Sequence, residues 1–346
     1  MAQEPKSTGS SGSTRLGRIL FIATISLIAY FLHSTHAFRA VNVVPTVPTI
    51  DLLDQDFDLQ RVTGEEQDTA VRLNKLWPEI AEIVTRAQQQ GPGYQASVVL
   101  HDFRTDCGLV INPKREYQLG SLIKIPIMIA ILKKIEAEPG FDSALVTYDA
   151  SKVPPANTWD TPMFHPDPAQ YLVDGERYSI SQLLYNMIAL SGNQSAQLLY
   201  TASKREFDEF YRQIGVSQPG MPYPVRSPDV YSRYMDLLFR AKYLRDASSR
   251  RALALMTASD FNVGLQAGLP TGVTIAHKFG VTQDAEDVHH WLNECGIIYA
   301  TSSINGKTVD RPYSLCVFTE GSNLEVLAGL LTDISRSIFE ALDDAD

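Results

Sequence analysis

The stretch 117–132, YQLGSLIKIPIMIAIL, limits what this chain can fold into more than any other. From 125 to 132 every residue is apolar or proline, so a helix there has no face suited to water and must be buried on most sides. The same stretch carries Ser121 and Lys124, three residues apart, which helical geometry sets side by side. A lysine at the mouth of a buried helix is costly unless it is paired, neutralised or used. Chemistry is therefore expected where this helix begins. Taken alone, Ser121 also suits a helix N-cap, and Lys124 a side chain that snorkels to the surface.

Composition narrows the classes. The 346 residues are enough for one large domain or two subdomains with a substantial core. A formal charge of -10 gives no basic face and argues against nucleic-acid binding. Three cysteines, Cys107, Cys295 and Cys316, do not make a disulfide framework, and no Cys/His spacing suggests zinc. His289-His290, close to Asp284, Glu286 and Asp287, is the one place that invites a metal reading, and a polar loop or helix cap is the plainer one. No metal or cofactor is implied.

Residues 1–18 are rich in Ser and Gly and are expected to be disordered. Residues 19–37 join a positive flank, a short apolar run and small residues, the pattern of an export signal or a retained anchor. Either reading places the rest of the chain outside the cytoplasmic membrane, with the positive end inside. Residues 38–67 read as a linker.

From 68 the spacing of Val71, Leu73, Leu76, Trp77, Ile80, Ile83 and Val84 predicts an amphipathic helix ending before Gly91. Strands follow at 94–103 and 108–112, joined by a tight turn at Arg104-Thr105-Asp106. The central helix stops near Pro139-Gly140. The long loop at 147–178 holds Pro154, Pro155, Pro162, Pro166 and Pro168 with Trp159, Phe164 and Tyr171, either an aromatic lip over a site or a surface loop pinned by prolines. Ser179 and Gln182 form a capping-box pattern that opens a helix, which Ser191-Gly192-Asn193 interrupts. Further helices are predicted at 194–202, 205–213, 228–244 and 250–257. Strands return at 273–279, 296–300 and 313–319, and a helix at 323–342 closes the chain. Asn305-Gly306 is a hairpin signal that sets Cys295 opposite Cys316. A disulfide there is open, with free buried thiols expected.

Three short motifs occur in order: Ser121-Leu122-Ile123-Lys124, Ser191-Gly192-Asn193 and Lys278-Phe279-Gly280. Each falls in its expected context of helix start, interhelical turn and strand. Together they are a described signature, and over about 68–342 the chain resembles the class A β-lactamase-like serine hydrolases of the penicillin-recognising family. The flanks VDGERYSISQLLYNMIALSGN and GIIYA…RPYSLCVFT share the likeness. The resemblance implies an α+β, β-lactamase/transpeptidase-like fold. Its five-stranded antiparallel sheet is flanked by the terminal helices, with an α/β part at 68–133 and 266–342 and an all-α subdomain at 134–265.

The resemblance also implies roles. Ser121 is the nucleophile, and Lys124 is the base if burial or a neighbouring cation lowers its pKa. Lys278 supplies that cation and attracts a substrate carboxylate, unless it is merely an edge-strand charge. Ser191 relays a proton to the leaving nitrogen, because a hydroxyl both donates and accepts. Asn193, Gly280, Val281 and Thr282 line the substrate position, with the amides of Ser121 and Val281 as the oxyanion hole. The substrate would be a β-lactam or a peptidoglycan-type peptide, acted on by a monomer; the rival is an envelope binding protein without turnover.

Two departures weigh against efficient lactam hydrolysis. Class A lactamases carry a glutamate in an E-x-x-L-N pattern on the loop after the second motif. Here Glu206, Asp208 and Glu209 all fall in a predicted helix, and 215–227 holds no acid. Phe279 replaces the usual Thr or Ser next to the motif lysine, with Thr282 or the aromatic loop left to compensate. Gly192 in place of Asp is the milder change.

Overall fold

The computed structural model describes residues 63–91, 93–153, 171–220, 224–284, 286, 288–304 and 307–343. The apolar segment at 19–37, most of the expected linker, Trp159 and Phe164 of the proline-rich loop and the Asn305-Gly306 turn lie outside the described residues.

Helix α1 (Thr63–Gln90) buries Leu73, Leu76, Ile80, Ile83 and Ala87, a three-and-four spacing that makes one stripe. It begins ahead of the expected residue 68, because Glu66 suits a helix start without adding apolar periodicity. Val71 and Trp77, expected on its apolar face, stand outward at 48 and 52 % exposure. Strands β1 (Gln95–Asp102) and β2 (Gly108–Ile111) form a hairpin, and β3 (Tyr117–Gln118) leads into a 3-10 turn, Gly120–Ile123. Helix α2 (Lys124–Ala137) then runs through the middle of the molecule, with Ile125, Met128, Ala130, Ile131 and Leu132 wholly inaccessible.

Strands β4 (Leu145–Thr147) and β5 (Arg177–Ser179) make a small ladder ahead of α3 (Ile180–Ile188). Ser179 and Gln182 close the expected capping box there. Helices α4 (Asn193–Ala202) and α5 (Lys204–Ile214), strand β6 (Val225–Arg226), α6 (Pro228–Phe239) and α7 (Asp246–Thr257) complete the helical half. The helix expected to reach 244 stops at Phe239. Ala241 turns left-handed and Lys242 N–H bonds to Leu237 O at 3.0 Å, a six-to-one closure that apolar spacing does not reveal.

Strands β7 (Thr274–Gln283), β8 (His290–Ile304) and β9 (Lys307–Gly321) finish a five-stranded antiparallel sheet in the order β2-β1-β9-β8-β7, before α8 (Leu324–Asp343). One face, with Ala276, Cys295, Ile297, Cys316 and Phe318, packs into the core shared with α2 and the helical half. The other, with Ile275, Leu292, Ile298, Leu315 and Val317, packs on α1 and α8. Both β8 and β9 outrun their expected spans, since polar residues such as Asn293 and Arg311 break the apolar pattern yet find partners in place. Asn293 donates to Gln118 O at 2.7 Å, and Arg311, 1 % exposed, pairs with buried Asp102 at 2.9 Å while also donating to Thr69 and Leu342 O.

Cys295 and Cys316 face each other across β8 and β9 and are joined as a disulfide, which corrects the expectation of free thiols. A cross-strand position already brings two Cβ atoms close enough for the bond. Cys107 remains free. Denatured without reductant, the protein is expected to titrate one thiol, and three after reduction; three from the outset would contradict the bond. Replacing Arg311 by Met leaves the Asp102 carboxylate buried without its cation, and is expected to cost about 3–5 kcal/mol in urea unfolding. A loss under ~1 kcal/mol would show that Arg311 does not hold the sheet to its helices.

Candidate active site

The serine turn is held from both sides by backbone. Tyr117–Gln118 pairs with Val225–Arg226, and Leu119 N–H bonds to Pro224 O at 2.8 Å, a two-residue ladder too short to read from sequence. On the other side the turn leans on the edge strand β7. Gly120 has φ +51°, and a Cβ there would stand 2.8 Å from Val281 N. A Cβ on Gly280 would stand 2.0 Å from Leu119 O and 3.0 Å from Ser121 N. Only glycine permits this approach, and it sets the amides of Ser121 and Val281 on the two sides of one backbone seam. Ser121 lies on the 3-10 turn and caps no helix, so the N-cap reading is set aside.

Lys124 opens α2 with 2 % exposure, which removes the snorkelling reading. Its Nζ lies 2.8 Å from Ser121 Oγ, 2.7 Å from Asn193 Oδ1 and 3.2 Å from Ser191 Oγ, and it also donates to Ser191 O. Asn193 starts α4, and Ser191 sits just before it in the left-handed region at φ 57°. That backbone is uncommon for serine and is the kind of strain that a fixed surround maintains at working sites. Gly192 N–H to Asn186 O at 2.9 Å and Ser195 Oγ to Asn186 Oδ1 at 2.7 Å fix the turn. Lys278, fully buried on β7, donates to Ser191 Oγ at 3.0 Å and to Phe279 O at 3.2 Å. It is no edge-strand surface charge. The three motifs thus meet as one chain of contacts, from Ser121 Oγ through Lys124 Nζ and Ser191 Oγ to Lys278 Nζ.

Burial drives the lysine pKa values. Desolvation, and then the Lys278 charge, hold Lys124 well below its ordinary 10.5. Lys278 itself is lowered to about 7 by burial, against the pull of Asp260 and Glu294. A neutral amine has two N–H groups and one lone pair. Ser191 O and Asn193 Oδ1 only accept, so they take the two N–H groups of Lys124, and the lone pair is left for the Ser121 hydroxyl. The contacts of Lys124 therefore fit a base.

The acids of α5 are spent elsewhere. Glu206 pairs with Arg205, Asp208 with Lys204 and Gln218, and Glu209 with Arg212 and Gln213. None hydrogen-bonds to Ser121 or Lys124. Phe279 stacks on Phe261 at 4.0 Å, with the Lys278 ammonium 4.2 Å from its ring centre. Thr282 lies farther along β7 opposite Trp291, outside this network, and of Trp159, Phe164 and Tyr171 in the proline-rich loop Tyr171 is the one described. His289 packs on Trp291 at 4.6 Å beside Glu320, in the turn between β7 and β8 rather than at a helix cap. Among the described residues no three of His, Cys, Asp or Glu gather as metal ligands.

Two contributors were not foreseen. Phe261 supplies the ring under Phe279. The buried pair of His277 Nδ1 and Glu294 Oε1, at 2.5 Å, lies on the opposite sheet face from Lys278, and Glu294 also accepts Leu265 N–H at 2.8 Å. The one signal is a pair of polar side chains on neighbouring strands, diagonal in register, which needs the register to be seen.

Known proteins share the fold of this chain. No curated protein sequence matches the chain. Among solved structures, PBP-A superposes with a TM-score of 0.60 at 18% identity, over 75% of this chain and 96% of its own. A β-lactamase from Sphaerobacter thermophilus gives 0.62 at 19%, covering 78% and 99%, and a class A β-lactamase from Mycobacterium abscessus 0.61 at 18%, covering 77% and 98%. At such identities these likenesses establish the fold, a β-lactamase/transpeptidase-like α+β architecture. The sequence description of the "Beta-lactamase enzyme family" matches residues 75–342, and the chain belongs to that family.

Proposed function

We propose that this protein is a serine acyl-transferring enzyme that opens an amide, either a β-lactam or a peptidoglycan-type peptide, and keeps the acyl group on Ser121. The observation that carries the reading is the buried Lys124 amine, 2.8 Å from the Ser121 hydroxyl and held by two acceptors. Lys124 takes the Ser121 proton as Oγ bonds to the carbonyl carbon. The N–H groups of Ser121 and Val281 receive the oxyanion, a contribution of roughly 3 to 4 kcal/mol per donor in sites of this kind. Ser191, whose Oγ accepts from Lys278 and lies 3.2 Å from Lys124 Nζ, passes a proton to the leaving nitrogen as the C–N bond breaks. Asn193 holds Lys124 and the substrate amide, and the charged form of Lys278 attracts a carboxylate. Gly280 and Thr282 border the edge along which the substrate lies.

Hydrolysis of the ester is a separate matter. It needs a base for water, and each α5 carboxylate is committed to a basic or amide neighbour. The acyl-enzyme is therefore expected to form and to persist. A variant of PBP-A is known as an acyl-enzyme complex with penicillin G, which supports a β-lactam as the first probe here. The Cys295–Cys316 disulfide suits an oxidising compartment and supports export through the 19–37 segment.

Incubation with a fluorescent penicillin is expected to give a labelled protein with the mass of one acyl group, stable after the free compound is removed, and no label on Ser121→Ala. Rapid nitrocefin turnover would contradict the persistent ester. No adduct with any β-lactam or acyl-D-Ala-D-Ala peptide would favour a binding protein instead. Lys124→Ala is expected to slow acylation by roughly 10²–10⁴. In the free protein Lys278 is charged below about 7 and neutral above it. The second-order rate constant of acylation by a carboxylate-bearing β-lactam is thus expected to fall as pH rises through that value. A level profile into the alkaline range would remove Lys278 from carboxylate binding.

A further inference from the structure

A buried carboxylate joins β7 to the segment that precedes it. Glu294, wholly inaccessible on β8, places Oε1 2.5 Å from His277 Nδ1 on β7, and its Oε2 accepts Leu265 N–H from that segment at 2.8 Å. His277, 1 % exposed, is the residue before Lys278. The segment comes this close because of Gly264, which has φ +75° and where a Cβ would stand 2.3 Å from Glu294 Oε2. It is also tied to α8, where Thr332 Oγ1 donates to Gly264 O at 3.0 Å and Ser335 Oγ to Leu265 O at 2.8 Å.

The same segment carries Phe261, whose ring stacks on Phe279 at 4.0 Å and 15°. Phe279 pairs with Glu294 in the register of β7 and β8. The Lys278 amino group lies 4.2 Å from the centre of the Phe279 ring and donates to Phe279 O at 3.2 Å. These contacts close a circuit. It runs from Lys278 to the Phe279 ring and Phe261, along the chain to Leu265, across to Glu294, and through His277 back to the Lys278 backbone. A carboxylate taken out of water is costly and is kept where fixed partners hold it. Apolar residues of like volume often replace such a buried pair without loss of stability, so this one points to placement.

We propose that Glu294 is a positioning residue for Lys278: by joining Leu265 to His277 it keeps the Phe261–Phe279 stack against the lysine amino group. The inference rests on the role given to Lys278 in the proposed acylation. A ring face attracts an ammonium, so the stack steadies Nζ where it reaches Ser191 Oγ.

Nuclear magnetic resonance of the free protein tests this. The ε-methylene protons of Lys278, assigned by their loss in Lys278→Met, are expected upfield of the ordinary lysine position because of the Phe279 ring current. Glu294→Leu and Phe261→Leu are each expected to remove most of that displacement, and the double variant no more than either alone. Glu294→Gln, whose amide accepts from Leu265 N–H and donates to Nδ1 of a neutral His277, is expected to retain it. If Glu294→Leu does not fold, Gly264→Ala, which sets a methyl group against the carboxylate, takes its place with the same expectation. In acylation by a carboxylate-bearing β-lactam, Glu294→Leu is expected to lose roughly 10–100-fold in second-order rate constant, and Glu294→Gln to recover most of it. A Lys278 signal that stays in place in Glu294→Leu, or that moves as far in Glu294→Gln, would overturn the proposal. A wild-type protein that forms no acyl-enzyme would instead fail the proposed function, and the resonance positions would still decide what Glu294 holds.

Discussion

Two buried lysine amino groups compressed against one serine hydroxyl are the constraint on which the rest of the structure depends. Lys124 and Lys278 approach Ser191 Oγ at 3.2 and 3.0 Å, both almost without solvent. Burying one such charge is expensive and burying two near each other is worse. The arrangement disfavours the charged state of at least one, and a lysine amine deprived of its proton is a base. Its stability has to come from elsewhere. The apolar residues all round α2 leave Lys124 no other direction, while the sheet is tied by the Arg311–Asp102 pair, the disulfide and the Glu294–His277 contact. A site that is costly to fold is held by a frame that does not yield.

The proposed chemistry falls into two half-reactions. The groups proposed to load Ser121 lie within a few hydrogen bonds of one another. Among the described residues, no α5 carboxylate hydrogen-bonds to Ser121 or Lys124. The connection from α5 to β6 is short: Gly215 closes the helix in the left-handed region, Val216 N–H returns to Tyr211 O, and Leu119 meets Pro224 a few residues later. The acids that precede it face their own arginines and lysines. Phe279, stacked on Phe261 rather than offering a hydroxyl, changes the surroundings of Lys278 in the same sense.

Much of this was legible before any coordinates. The apolar run at 125–132, the Ser179 capping box and the Asn305-Gly306 register all rest on strictly local rules, and they place α2, α3 and the β8–β9 hairpin. Ser121, Lys124, Ser191, Asn193 and Lys278, singled out by motif spacing, stand together in one hydrogen-bonded network. Long-range polar pairing was not visible. Arg311 and Glu294 look like strand breakers until the folded sheet brings Asp102 and His277, two positions off direct register, within reach of them. The β3–β6 ladder and the left-handed stop at Ala241 carry no periodicity. The thiols were misjudged because Arg311-Pro312 obscured a register that the backbone keeps without a bulge. Trp77 was assigned to the wrong helix face because a hydrophobic residue need not be buried.

The central claim is that Lys124 is an uncharged amine at neutral pH because it is buried beside Lys278. Nuclear magnetic resonance of lysine labelled with 15N at Nζ, with the Lys124 signal assigned by its loss in Lys124→Met, measures this directly. The account predicts a neutral-amine resonance for Lys124 at pH 7.5 that converts to ammonium only on acidification, well below the ordinary 10.5. An ammonium resonance at neutral pH that titrates near the ordinary value would contradict it, and would leave Ser121 without the base on which the proposed chemistry rests.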